Sequence, residues 1–264
     1  IKISSYAVRP QPIFQNAVIN TSILFFIKTL TPVEQILCTK MYRKGKGFDL
    51  KTLLENLQFI DVKNYKLYGR YPKISLPIEQ KILRKIFSIK KSIGELQKGK
   101  GSAIYYRFAG GRYYKIVTNY STNSSAERSI FFDKRISNTI GAILSSNLFF
   151  WWYQIFSDNL NLKSYEIESF PIPINELSEE RIKVLETLYD DYLKDIEKNA
   201  KIRTTKKYAN IDTFKEYKIG KSKKYIDVID DFIGPLYGLN EEEIDFIKNY
   251  EIEFRLTENE KDEN

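Results

Sequence analysis

Residues 140–156 read IGAILSSNLFFWWYQIF, and this stretch determines how we divide the rest of the chain. It is nearly all apolar, and Ser137 before it is a residue type that caps helices, so we predict a buried helix that reaches Phe156. The stretch is short for a membrane-spanning segment and contains polar residues such as Asn147 and Gln154. We therefore expect a soluble, cytoplasmic protein.

A proline-rich boundary follows this helix. Residues 170–174, FPIPI, do not fit a regular helix, because proline lacks the backbone donor and restricts the residue before it. Beyond it, apolar residues repeat at spacings of 3, 4, 3 and 4, as in an amphipathic helix; they are Ile182, Leu185, Tyr189, Tyr192 and Ile196. After a polar connection, we predict two more helices, through 225–232 and from residue 240, and a disordered acidic tail over 257–264. This defines a helical C-terminal region.

The start of the chain has the pattern of strands. Residues 22–27 and 33–43 are apolar, β-type runs, and a threonine–proline pair between them is a turn signal. Two adjacent strands here suggest the edge of a sheet whose other strands are missing, and the chain begins with Ile1 rather than Met. We therefore treat it as a fragment and assign residues 1–45 to the end of a larger sheet.

Residues 46–175 combine helical and strand patterns. Pro77 opens a helical pattern in which isoleucines keep 3–4 spacing up to Ile93, with lysine and arginine on much of the other face. Residues 103–108 and 113–118 are β-rich and flank a Gly-Gly turn, which predicts a hairpin. Its tyrosines, at 105, 106, 113 and 114, alternate with Arg and Lys and would belong to a binding surface; the alternative is that one tyrosine of each pair faces the core and its neighbour faces solvent. The chain as a whole is predicted to have an α+β fold.

Positive charge is concentrated in the middle of the chain. The formal net charge is +8, but residues 40–128 contain 20 Lys and Arg against 6 Asp and Glu, a net of +14, whereas residues 257–264 have a net of −3. A basic segment indicates a polyanionic partner, nucleic acid first and an anionic membrane second. A general compositional bias toward lysine is the alternative, but such a bias does not favour one segment.

The chain lacks the residues of most catalytic sites. It has no histidine, which excludes histidine metal sites and Ser-His-Asp triads within it, and its single cysteine, Cys38, lies in an apolar run typical of a buried thiol. It contains no Asn-Pro-Pro-aromatic motif to hold a flipped adenine, and its glycines do not suit S-adenosylmethionine. Asp212, Glu216 and Lys218 are too closely spaced for a convincing nuclease site. We predict no catalytic, cofactor-binding or metal-binding residue in this chain.

Candidate binding residues are easier to find. The Gly-Lys loop at 98–101, the predicted hairpin and the polar loop after it combine flexible backbone with hydrogen-bond donors. Arginine pairs with guanine, lysine contacts phosphates, and a two-stranded ribbon fits the major groove of duplex DNA. The predicted DNA-binding residues are Lys98, Lys100, Arg107, Arg112, Tyr113, Lys115, Asn123 and Ser124.

Four segments resemble, in this order, parts of one family. They are residues 4–28 with SSYAVRP and IFQNAV, residues 105–115 with YYR and AGGRYYK, residues 140–173 with IGAILSSNLF and FPIP, and residues 226–243 with IDVID, LYGL and EEE. The first resembles the last strands of the catalytic domain in γ-class N6-adenine DNA methyltransferases. The second and third resemble a TaqI-like target-recognition domain, and the fourth resembles the C-terminal helices of these enzymes.

The resemblance implies a division of labour. Residues 1–45 would be the last strands of the catalytic domain, residues 46–175 the target-recognition domain, and residues 176–256 the helical C-terminal region. An upstream catalytic domain of the same protein would bind S-adenosylmethionine and flip an adenine, while this chain reads double-stranded DNA. The parent enzyme would belong to a type II restriction–modification system. Since the catalytic motifs are absent, no catalytic residue is carried over to this chain.

Two other functions stay open on the sequence alone. The apolar stripe at 182–196 would suit docking to another subunit, which would make the chain an assembly domain of a restriction complex. A nuclease with an unrecognised metal site is the second alternative.

Overall fold

The computed structural model describes residues 1–109, 115–207 and 210–256. The fold is mixed α+β, as predicted, and it divides into two compact units. The first unit comprises residues 1–88 and 153–158, and the second comprises residues 89–152 and the chain from 159 onward. This division follows packing, whereas the predicted boundaries at 45 and 175 follow the sequence pattern and the family resemblance, and they stay a prediction. No helix in the described ranges is both long and apolar enough to cross a membrane.

The elements are short apart from one helix. In chain order the strands are β1 (Lys2–Tyr6), β2 (Thr21–Phe25), β3 (Leu37–Tyr42), β4 (Ile60–Asp61), β5 (Ser102–Arg107), β6 (Val117–Thr118), β7 (Glu127–Phe132), β8 (Lys201–Lys207) and β9 (Asn210–Glu216). The helices are α1 (Leu50–Glu55), α2 (Pro77–Ser88), α3 (Ile93–Leu96), α4 (Lys134–Ser145), α5 (Asn147–Phe156), α6 (Ser164–Glu168), α7 (Glu179–Lys198), α8 (Lys223–Ile233), α9 (Glu241–Asn249) and α10 (Ile252–Arg255).

The first unit contains a sheet with the strand order β2-β1-β3-β4. β1 lies between the two runs that we predicted as neighbours, antiparallel to β2 and parallel to β3. The prediction that 22–27 and 33–43 pair with each other was therefore wrong: Lys2 pairs with Phe25 on one side and with Leu37 on the other. Because β1 fills the space between them, the terminal hairpin is β1–β2.

Helix α2 has the basic face that the isoleucine spacing predicts. Ile82 and Ile86 are buried, while Lys81 and Arg84 are exposed. The helix ends at Ser88, so the predicted continuation to Ile93 is wrong, and Ile93 instead begins α3 in the second unit.

The first unit includes the end of α5, which returns to it after a long excursion of the chain. The Arg43 guanidinium donates to Gln154 Oε1 at 2.7 Å, and the Lys73 ammonium donates to the carbonyls of Ile155 and Ser157 at 2.9 and 2.6 Å. Cys38 is buried, as predicted, and burial raises the pKa of its thiol to about 11. At neutral pH the thiol is therefore protonated, which does not suit a nucleophile.

The second unit contains an antiparallel sheet with the order β6-β5-β7. The segment that we predicted as one helix to Phe156 is two helices, because Ser146 is extended (φ −71°, ψ 159°) and separates α4 from α5. The cap of α4 is Asp133, whose side chain accepts the Arg135 amide, and Ser137 lies buried inside the helix rather than at its start.

A buried carboxylate caps the second of these helices. Asp230 of α8 is 2% exposed and accepts the backbone amides of Asn147 and Leu148 at 2.9 and 3.0 Å, together with Asn147 Nδ2 at 2.8 Å. Arg255 donates to Asn147 Oδ1 and lies over the Phe150 ring at 4.4 Å. Burial outweighs the hydrogen bonds from Asn147 and Leu148 and raises the pKa of Asp230 from 3.8 to about 7.

Helix α7 confirms the periodicity that predicted it. Its five repeating apolar residues are all buried. The Tyr189 ring lies so close to Gly141 of α4 that a Cβ there would meet it at 2.5 Å, so only glycine allows this approach. The stripe at 182–196 is therefore a packing surface inside the second unit, which removes the basis for the proposal that it docks another subunit.

The predicted polar connection after α7 is an antiparallel hairpin, β8–β9. Seven residue pairs join the strands, from Lys201 opposite Glu216 to Lys207 opposite Asn210. We did not predict these strands, because they lack the alternating apolar face that identifies a half-buried strand.

Candidate nucleic-acid interface

The predicted DNA-binding residues lie at opposite ends of strand β5. Lys98 and Lys100 are exposed in the loop before the strand, where the Lys98 amide donates to the Phe131 carbonyl at 2.8 Å. Arg107 is the last residue of the strand. Five residue steps of a strand span roughly 17 Å, so these side chains do not form one cluster.

Two other predicted residues join Arg107 at its end of the strand. Asn123 is exposed and Ser124 half-buried, in the loop 119–126 that leads into β7. Lys115 is only 5% exposed, and since a phosphate cannot reach a buried ammonium, we leave it out of the candidate interface. Arg112 and Tyr113 lie outside the described residues.

Glu127 organises the loop 119–126. Its carboxylate accepts the Ser121 hydroxyl at 2.6 Å, and it accepts both the amide and the hydroxyl of Thr122, at 2.8 and 2.5 Å. Burial opposes the charge of Glu127, but the hydrogen bonds from Ser121 and Thr122 prevail and lower its pKa. The loop is therefore held in one shape around an ionised carboxylate, with Asn123 in the left-handed region at φ 55°.

Arg107 connects this loop to the β8–β9 hairpin. Its Nη2 donates at 3.4 Å both to the Thr122 hydroxyl and to the Lys215 carbonyl of β9. Its guanidinium lies over the Tyr217 ring, 5.4 Å from the ring centre. The residue is half-buried, and its guanidinium lies between the loop 119–126 and the end of β9.

Glu197, near the end of α7, fixes the base of the hairpin. It accepts the Lys215 ammonium and the Tyr217 hydroxyl, each at 2.6 Å. Burial opposes its charge, but the hydrogen bonds from Lys215 and Tyr217 prevail and lower the pKa of Glu197. In turn, burial and the Glu197 carboxylate raise the pKa of Tyr217 to about 12.

The hairpin itself presents no buried side chain among those that the structure describes. The exposed ones are Lys201, Ile202, Arg203, Thr204, Thr213 and Lys215, and Glu216 is half-buried. Arg203 pairs with Glu216 at 2.7 Å, which stiffens the base. Ile202 is 74% exposed, so the strand that carries it contributes little to a core.

The sequence contains a signal for this hairpin that we missed. Residues 198–224 carry ten Lys and Arg against two acidic residues, a net of +8 that equals the formal charge of the entire chain. This second basic segment is separated from the first by some 70 residues of mixed charge, and charge counted along segments would have identified it.

The two tyrosines of the pair in β5 lie on opposite faces of the strand. Tyr106 is 2% exposed and Tyr105 is half-buried on the opposite face. The second pair, at 113–114, lies outside the described residues. The half-exposed face of β5 therefore continues from Tyr105 to Arg107, beside the loop 119–126.

Within the described ranges, no group of three or more Cys, Asp or Glu side chains is placed to hold a metal ion. In the suggested nuclease cluster, the Glu216 carboxylate is bound by Arg203 at 2.7 Å and Lys218 at 3.0 Å. An ion pair of this kind neutralises the charge that a metal would need. Comparison with family models, with curated proteins and with solved structures finds no match for this chain.

Proposed function

We propose that the chain binds double-stranded DNA in a sequence-specific manner, as the target-recognition and C-terminal part of an N6-adenine DNA methyltransferase of a restriction–modification system. The observation that carries the proposal is the basic β8–β9 hairpin beside the polar loop 119–126. A two-stranded ribbon is one of the two structures that the major groove of B-DNA admits. Lysines along such a ribbon neutralise phosphates, and threonine, serine and asparagine hydrogen-bond to base edges.

The first unit supports the methyltransferase part of the proposal. β2 is an edge strand of its sheet, and Leu24, Phe25 and Phe26 at this edge are exposed. An exposed apolar edge strand is rarely left uncovered in a folded protein, because it pairs with other chains. An upstream catalytic domain, which would also bind S-adenosylmethionine, is the partner that we propose for it.

Duplex binding is tested with the full chain and a library of random duplexes. We expect selection to enrich one motif and the affinity for it to fall linearly on a log–log plot against salt, with a slope of about −0.9 for each phosphate contacted. An affinity that is independent of salt, or a library that stays random, would refute sequence-specific binding. Methylation of an adenine within the selected motif by the full-length protein tests the enzymatic part.

A charge-reversal pair locates the interface. Lys201→Glu places a negative charge at the base of the hairpin and should weaken binding and flatten the salt slope. Lys183→Glu is the matched control, since Lys183 is exposed on α7 and the 14 residues to Glu197 span roughly 21 Å of helix. Equal losses in the two variants would show that binding depends on total charge and not on the hairpin.

A further inference from the structure

We infer that Arg107 is a positioning residue, which fixes the β8–β9 hairpin against the loop 119–126, and that side chains of the hairpin meet the DNA in its place. This inference rests on the proposed function and assigns roles within the same interface. It changes the expectation from the sequence, in which Arg107 contacts DNA directly.

The surroundings of the Arg107 guanidinium do not suit base recognition. An arginine that reads guanine directs two parallel N–H groups at the O6 and N7 atoms of one base. Here Nη2 is already shared between the Thr122 hydroxyl and the Lys215 carbonyl, and one face of the group is covered by Tyr217. A paired contact to one base that uses Nη2 would require these hydrogen bonds to break.

The same contacts suit an anchor. Arg107 reaches Thr122, whose hydroxyl and amide are held by Glu127. On its other side it reaches the backbone of Lys215, whose ammonium is held by Glu197. One side chain thus joins β5, the loop 119–126 and β9, and through Glu197 it is tied to the end of α7.

The hairpin needs such an anchor because it has little else to orient it. A two-stranded hairpin alone is marginally stable, and none of its described side chains is buried. Its direction is therefore set at the base, where Arg107, Glu197 and the Arg203–Glu216 ion pair lie.

The described side chains of the hairpin suit a DNA contact better than Arg107 does. Lys201 is exposed at the base, and Thr204 lies opposite Thr213 with both side chains exposed. A lysine contacts phosphate without regard to sequence, and threonine hydroxyls hydrogen-bond to bases of either donor or acceptor character. We therefore assign phosphate contact to Lys201 and base contact to the threonine pair.

The test separates charge from position by two readouts, the salt slope and the discrimination between the selected motif and random duplex. In Arg107→Ala and Arg107→Lys, we expect discrimination to fall by about tenfold or more while the slope stays that of the wild type. Lysine keeps the charge but cannot span Thr122 and the Lys215 carbonyl. In the comparison variant Lys201→Ala, the slope should fall in magnitude by about 0.9 and discrimination should persist.

Thr122→Val is a milder second variant that keeps Arg107 and its charge, and it should reduce discrimination in the same way. Hydrogen exchange of the backbone amides serves as a structural readout for these variants. We expect faster exchange than in the wild type in β8–β9 and unchanged exchange in α7. Arg107 is a direct contact, and the inference fails, if Arg107→Ala lowers the magnitude of the salt slope by about one and spares discrimination. The inference also fails if Arg107→Ala loses discrimination while amide exchange in β8–β9 stays that of the wild type, since Arg107 would then contact a base itself, or if Arg107→Lys behaves as the wild type. In each of these cases duplex binding by the wild type stands, whereas a wild type that shows no salt-dependent binding removes the proposed function itself.

Discussion

Glu197 and Asp230 are carboxylates in the second unit that accept several hydrogen bonds, yet their pKa values move in opposite directions. Glu197 accepts an ammonium and a tyrosine hydroxyl, its side chain is 32% exposed, and its pKa is lowered. Asp230 accepts amide donors at the start of α5, is almost fully buried, and has a pKa raised to about 7. The number of hydrogen bonds is similar, so solvent access and the charge of the donors decide the sign.

The difference in burial indicates a different role for each carboxylate. Asp230 holds α5 and α8 together inside the unit, where loss of an acceptor leaves amides without partners. Glu197 holds the base of a hairpin that lies at the surface, where water replaces a lost partner at small cost. Stability should therefore depend on Asp230, and the proposed interface should depend on Glu197.

The largest expected effect is that of Asp230→Ala. It leaves the amides of Asn147 and Leu148 buried without their acceptor, and we expect the free energy of unfolding at pH 6 to fall by about 4 kcal/mol. The control is Asp231→Ala, next in the chain, whose exposed carboxylate pairs with Lys248 at 2.8 Å; it should cost about 1 kcal/mol or less. Urea denaturation of both variants checks this, and equal losses would contradict a capping role for Asp230.

The effect of pH on the contribution of Asp230 to stability should be smaller than the effect of Asp230→Ala. Unlike that of most carboxylates, this contribution should fall as the pH rises. The folded pKa of Asp230 lies above its ordinary value of 3.8, so the folded state binds the proton more tightly. This contribution is complete below about pH 4 and is lost as the pH rises through about 7. Between pH 5 and 7 we expect it to reduce the free energy of unfolding by about 2 kcal/mol.

Asp230→Asn isolates that contribution, because the other carboxylates titrate alike in both proteins. The difference between wild type and variant, measured by denaturation across the pH range, should slope in the stated direction. A difference that does not vary with pH would show that Asp230 is ionised throughout, with the helix amides outweighing burial.

The smallest effect on stability is expected for Glu197→Gln. The folded pKa of Glu197 is lowered, so its contribution is present above the ordinary value of 4.5 and is lost as the pH falls through the folded pKa. For a partly exposed ion pair, we expect a loss of about 1 kcal/mol or less at pH 7. Amide exchange in β9 should nevertheless accelerate, because Lys215 and Tyr217 lose their shared acceptor.

Glu180→Gln, at the exposed start of the same helix, is the control and should leave exchange in β9 unchanged. If Glu197→Gln destabilises the whole protein as strongly as Asp230→Ala, the contrast between a structural and an interfacial carboxylate does not hold.

The sequence predicts those elements whose pattern is local. Prediction from sequence fails where contacts with residues far away in the chain determine the structure. Helix α7 was predictable because its five apolar residues meet the core at helical spacing. The break between α4 and α5 was not, because the acceptor that starts α5, Asp230, lies more than 80 residues further along the chain. Nothing in the apolar run itself distinguishes one helix from two.

The candidate interface was predicted in composition and not in arrangement. Residue types suited to DNA pointed to Arg107 and Asn123, and these do lie at one end of β5. The sequence cannot show that the Arg107 guanidinium is taken up by Thr122 and the Lys215 carbonyl, since these contacts join residues 15 and 108 positions apart. Lys98 and Lys100 are close to Arg107 in the chain, but an extended strand separates them.

The return of α5 to the first unit limits how the protein can be dissected. A truncation after Ser88 would remove the carbonyls of Ile155 and Ser157 from Lys73, and the Gln154 amide from Arg43, leaving two largely enclosed cations without these acceptors. Truncating the chain at a single point therefore cannot produce either unit intact. Separating them requires a linker that rejoins the segment 153–158 to the rest of its unit, as in a circular permutant.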